Sequence, residues 1–231
     1  KEPVAMKVAF GENPKRVYGE QHKAPTTRMA VAALLRETLF EAKKYMEDLE
    51  ASKEDPDQKP DFDMKLHSML PVLKREMPIK AHAHRADDIF TALRIAEEFN
   101  IDITLDHCTE GHLIVDELKA AGKPCLIGPT FGSRTKVELR SKSFETPKIL
   151  NDAGIKVAII TDSNVIPIQH ITMCAGMAVK AGLSEDEAWR TITINPAEII
   201  GIDDRVGSLK VGKDADIAIF KGNPLLDIDY E

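Results

Sequence analysis

Along residues 4–10, Val4, Met6, Val8 and Phe10 alternate with smaller or polar neighbours, and Gly11 follows. A period of two predicts a short strand, and Gly11-Glu12-Asn13-Pro14 reads as the loop that ends it. The period then lengthens. Met29, Ala33, Leu34, Leu39, Phe40 and Met46 recur at helical spacing behind Thr26 and Thr27, which suit an N-cap, so a long helix is expected to about residue 50. Residues 51–61 are polar, carry two prolines and predict an exposed loop. A second, short helix is expected over 64–76, with Pro71 at a start or a break.

From Pro78 onward short apolar runs alternate with amphipathic ones. Strands are expected over 79–83, 101–106, 124–128 and 156–161, with helices over 86–99, 111–121 and 146–153. Gly122 and Gly154 close the last two helices. The strands are rich in Ile, Val and Leu and the connections are short, as in parallel strands buried on both faces. The fold class that follows is α/β with a parallel sheet. After Asp162 come a loop with Pro167 and His170, then helices over 171–182 and 184–200. Ser184 with Glu187 three residues on makes a capping box. The tail changes character: glycine-containing turns at 207–209, 212–214 and 222–224 flank an alternating apolar run at 215–220, which predicts a small β unit.

Composition narrows the function classes. The chain has 231 residues, 43% hydrophobic and 30% charged, with a net charge of -7. No apolar run approaches the ~18 residues of a membrane span. The acidic balance and the lack of an Arg/Lys stripe with interleaved aromatics argue against a nucleic-acid partner. Neither GxGxxG nor a Walker-type run is present, which disfavours nucleotide binding. Cys108, Cys125 and Cys174 show no CxxC spacing, so neither a disulfide framework nor a structural zinc site is indicated, and a reducing cytoplasm is expected. The first residues show neither an initiator Met nor a signal pattern, so the chain is expected to start partway through a larger protein.

Three residues stand at the ends of predicted strands: His82, His107 and Asp162. Two imidazoles and a carboxylate suit zinc, manganese or iron, and the C-terminal rim of a parallel sheet gathers such ligands from distant parts of a chain. Spacing alone leaves each histidine as either a ligand or a hydrogen-bonded structural group. His84 has the same side-chain parity as His82, so parity does not choose between them. His112 reads as exposed or as backing a ligand, while His22, His67 and His170 read as bland, although His170 lies where it can reach substrate.

Several motifs occur in order: Lys80-Ala81-His82-Ala83-His84, Leu105-Asp106-His107-Cys108, Ile160-Thr161-Asp162-Ser163, Thr193-Ile194-Asn195-Pro196-Ala197 and the run 207–216. Together they resemble the amidohydrolase superfamily, in the subgroup of imidazolonepropionase and prolidase-like hydrolases. The resemblance implies a partial (β/α)8 TIM-type barrel, about strands four to eight, over residues 1–200. Residues 201–231 would be a small β segment of a composite sandwich domain. It implies that His82, His107 and Asp162 hold a divalent metal, zinc first with manganese or iron as alternatives. Asp162 would also be catalytic, moving a proton, while His84 faces substrate; Arg85, next in line, suits a substrate carboxylate or a surface position capping the following helix region equally well. Lys7 resembles a strand-four lysine that bridges two metals when carbamylated, with Glu12 as a competing carboxylate, so one ion or two stays open. The implied reaction is hydrolysis of a C–N bond in a small amide, cyclic amide or dipeptide-like molecule. The alternative is a binding or scaffold module that keeps the fold. The family's first-strand His-x-His pair is absent, so this stretch alone is expected to be inactive. It is expected to associate with the missing N-terminal part of the same protein or into a homo-oligomer.

Overall fold

The computed structural model describes residues 3–227. Five short strands form one sheet in chain order: β1 (Met6–Ala9), β2 (Ile79–Ala83), β3 (Ile103–His107), β4 (Cys125–Ile127) and β5 (Val157–Ile159). Pairing is parallel, with Met6 opposite Ile79 and Ala9 opposite His82 in β1–β2. Leu105 lies opposite Cys125 in β3–β4, and Cys125 opposite Val157 in β4–β5. All residues of β3, β4 and β5 are buried, as a parallel sheet covered on both faces requires. The expected α/β class is observed. No helix among the described residues is long and apolar enough to cross a membrane.

The chain divides into two compact units. One runs up to His82 and takes in 87–103. It holds β1, α1 (Glu12–Glu20), α2 (Arg28–Ala51), α3 (Met64–Leu73), β2 up to His82, and most of α4 (Ala86–Glu98). Helix α1 starts where a loop was expected over 11–14, because Pro14 falls in its first turn, where N–H groups have no partner inside the helix. The Thr27 side chain caps α2 as expected, accepting from the Ala30 N–H at 3.1 Å. The buried face of α2 differs from the expected stripe: it is Val31, Leu39, Ala42 and Tyr45, while Met29 is 79% exposed. Ion pairs set that rotation. Arg28 Nε donates to both carboxylate oxygens of Asp88 at 3.1 Å, and Arg36 makes a two-point pair with Glu98. Residues near the starts of α2 and α4 pair, as do residues further along both, so the two helices run side by side in the same direction. Asp88 is buried and Arg28 partly so, which makes that pair the costlier one to break. Within α3, Pro71 is accommodated with no break.

The other unit comprises 83–86 and the chain from Thr104 onward. It holds β3 from Thr104, β4, β5, α5 (Val115–Ala121), α6 (Thr146–Asp152), α7 (Ile171–Lys180), α8 (Glu185–Ile192) and α9 (Ile194–Ile200). Ser184 accepts from the Glu187 N–H at 3.2 Å, forming the expected cap of α8. The buried Asn195 side chain donates to Val157 O at 2.8 Å and ties α9 to β5. One apolar cluster joins Ile159, Cys174, Ala175, Ala178, Leu183 and Ala188 to Leu225 of the tail.

The tail holds no strand among its described residues, 201–227. The alternating run is there, but Ile217 and Ile219 are exposed and have no strand beside them, and a strand exists only through a hydrogen-bonded neighbour. Residues 228–231 of the expected β segment lie outside the described residues. The tail is instead anchored at its end: a Cβ built on Gly176 in α7 would stand 2.1 Å from Leu225 O. Gly176→Ala is therefore expected to cost about 1–3 kcal/mol through overpacking, read as a lower urea midpoint. An unchanged midpoint would show that the tail does not rest on α7.

Candidate metal centre

The C-terminal ends of β2 and β3 carry three buried imidazoles, His82, His84 and His107. Each offers one nitrogen, and these atoms all lie within 4.8 Å of one another. His82 and His84 share a side because β2 alternates its side chains. His107 is the last residue of β3 and adopts φ 72°, a left-handed conformation that costs a non-glycine residue about 1–3 kcal/mol. Cys108 follows with φ 43°, and Asp162 beyond β5 has φ 49°. Strained backbone thus gathers at the strand ends that the sequence singles out.

Hydrogen bonds decide which nitrogen each ring presents. His107 Nδ1 lies 2.6 Å from Gly128 O; a carbonyl only accepts, so Nδ1 carries the hydrogen and Nε2 keeps its lone pair for a ligand. The Gly128 backbone comes close enough to β5 that a Cβ on it would sit 2.1 Å from Ile160 O. His82 Nε2 lies 3.3 Å from the Asn13 side-chain amide. His84 Nδ1 lies 2.7 Å from Thr109 Oγ1, and its ring stacks on His107 at 4.6 Å.

The remaining expected site residues are placed differently. Asp162 is exposed at the start of the turn after β5, where its carbonyl accepts from the Val165 N–H at 2.7 Å. Lys7 is exposed on β1 opposite Lys80, so the burial cost that singled it out does not arise. Arg85 is half-buried between β2 and α4, and Glu12 opens α1. Asn13, Thr109 and the Gly128 carbonyl had no signal in the sequence, since each acts only through the ring it touches.

The Cys125 thiol 3.8 Å away, together with burial, pushes the Cys108 thiol well above its ordinary value.

The chain from residue 5 to residue 231 matches the model of the amidohydrolase family. The chain belongs to the amidohydrolase family. It is similar to amidohydrolase tasK of Hapsidospora irregularis, 26% identical over 95% of this chain and 24% of that protein. The imidazolonepropionase of Maricaulis maris is 30% identical over 62% of this chain and 35% of its own length. The crystal structure of an amidohydrolase from Thermotoga maritima is 40% identical, superposes with a TM-score of 0.96 over all of this chain, and is covered for 60% of its length. This amidohydrolase chain therefore spans about a quarter to a third of these two curated relatives.

In the turn after β3, His112 is held by Thr146 Oγ1, 2.9 Å from its Nδ1, and burial lowers its pKa below the ordinary 6.5. The unfolded chain takes up that proton as pH falls below 6.5 while the fold resists it. Stability is therefore expected to fall as pH drops from 6.5. His112→Gln should flatten this dependence, checked by urea midpoints at about pH 7 and pH 5.5.

Proposed function

We propose that this chain carries part of the metal site of a (β/α)8-barrel hydrolase that cleaves C–N bonds in small amides, cyclic amides or dipeptide-like molecules. Its membership of the amidohydrolase family and the buried imidazole cluster support that reading. The observation that carries it is the His107 Nδ1–H donated to Gly128 O. It fixes the tautomer a nitrogen ligand needs, at the strand end where such ligands gather.

The donor set fits a divalent ion of the zinc, manganese or iron type: imidazole nitrogens, close together and shielded from water. In this proposal His82, His107 and Asp162 would hold the ion, and Lys7, if carbamylated, would add a ligand for a second. Such an ion, when bound, polarises an amide carbonyl and makes water nucleophilic near neutral pH. Asp162, exposed in the turn after β5, would act as the general base and acid, accepting a proton from the attacking water and returning it to the leaving nitrogen. His84 and Arg85 orient the substrate, the guanidinium of Arg85 through its planar fork. The imidazolonepropionase relatives favour cyclic amides among these substrates. Cys108, Cys125 and Cys174 are all free and buried, which suits a reducing compartment such as the cytoplasm.

The test measures bound metal and turnover on a panel of N-acyl amino acids, Xaa-Pro dipeptides and cyclic amides. In the full-length protein His107→Ala should lower zinc affinity at least about 10–100-fold. Asp162→Asn should cut turnover by about 10²–10⁴-fold. Variants that keep both metal and rate would sink the assignment, and native protein without stoichiometric metal would favour a scaffold.

A further inference from the structure

The loop over 128–145 between β4 and α6 carries one short 3-10 turn, Val137–Leu139. Its two leading residues invert the usual order of burial. Glu138 is 0% exposed, while its apolar neighbour Val137 is 63% exposed. Withdrawing a carboxylate from water is costly unless donors or opposite charge offset it. Glu138 Oε1 lies 3.8 Å from Lys136 Nζ and 3.8 Å from His84 Nε2. Lys136 reaches partly into water, so the carboxylate faces a cation on one side and a buried ring on the other.

That ring is held from several directions. His84 stacks on His107, its Nδ1 meets the Thr109 hydroxyl at 2.7 Å, and its Nε2 points toward Glu138. At 3.8 Å the carboxylate is beyond hydrogen-bond length, yet its field still favours a hydrogen on the nearer nitrogen. With the hydrogen on Nε2, Nδ1 is left to accept from the Thr109 O–H. Neither nitrogen of His84 then offers a lone pair to a metal, although the ring stands within reach of one.

We propose that Glu138 is a positioning residue: it fixes the Nε2–H tautomer of His84, keeps that ring out of the metal's ligand set and reserves it for substrate. This deepens the function proposed above and rests on His107 being a true ligand. It separates the two histidines of the His-Ala-His run by their partners, one carboxylate making the difference.

The test titrates zinc into metal-stripped protein by equilibrium dialysis and reads histidine tautomers from two-bond ¹H–¹⁵N correlations. His84→Ala is expected to bind zinc within about 3-fold of wild type, whereas His107→Ala loses at least about 10–100-fold. A normal affinity in His107→Ala would overturn the metal reading. A loss in His84→Ala as large as that in His107→Ala would overturn the role of Glu138 alone. In wild type the His84 signal should place the hydrogen on Nε2 and not on Nδ1. Hydrogen on Nδ1 overturns the proposal with no variant needed. Glu138→Ala should shift the ring to mixed tautomers, and Glu138→Gln, which keeps the shape but loses the charge, should shift it in the same direction. A His84 signal that is the same in Glu138→Ala as in wild type would also overturn it.

Discussion

The bond from His107 Nδ1 to the Gly128 carbonyl is the constraint on which the rim depends. It joins the end of β3 to the end of β4, fixes one ring nitrogen as donor and leaves the other as ligand. For the carbonyl to stand there, β4 must end where Gly128 approaches Ile160 O too closely for any side chain. The ring in turn needs the left-handed backbone of His107 to leave the strand at that angle. Strain of about 1–3 kcal/mol at such a residue persists only where the surroundings over-determine it. Here the stacked His84 ring and the fully buried strands around it supply that confinement.

Polar side chains below the rim repeat this use of the backbone as partner. Asn195 donates to Val157 O beneath β5, and the carboxylate of Glu110 accepts from the Ala86 N–H at the start of α4 and from Ser141 Oγ. These groups are buried or nearly so, and each satisfies a backbone or hydroxyl group that would be costly to leave unpaired. The loop over 128–145 is thereby tied at Ser141 and at Glu138, which gives a segment with little regular structure a defined position.

Much of the fold was legible because a parallel α/β chain writes its strands as short apolar runs. Residues 79–83 and 86–99 were read to within a residue of β2 and α4, and the Ser184 cap followed from two residues. The misreadings have local causes. Pro14 looked like a loop residue but sits in a first helical turn, where its missing N–H costs nothing. Helix α2 is apolar on more than one side, so its sequence could not choose a face; Arg28 and Arg36 chose it by pairing with Asp88 and Glu98. The run over 215–220 has the period of a strand, yet pattern alone supplies no neighbour to bond with.

The sequence by itself determined the class of the protein and the order of its chemistry: an amidohydrolase chain with His82, His107 and Asp162 at or just beyond the ends of three of its strands. Those features reside in residue type and spacing, which a linear reading preserves. Tertiary structure alone decided which nitrogen of each imidazole is engaged, that His84 joins the cluster, and that Glu138 leaves water to face it. A hydrogen-bond partner 21 residues away or a facing carboxylate 54 residues away leaves no periodic trace in the chain, and a carboxylate among cations reads as solvated until the fold removes the solvent.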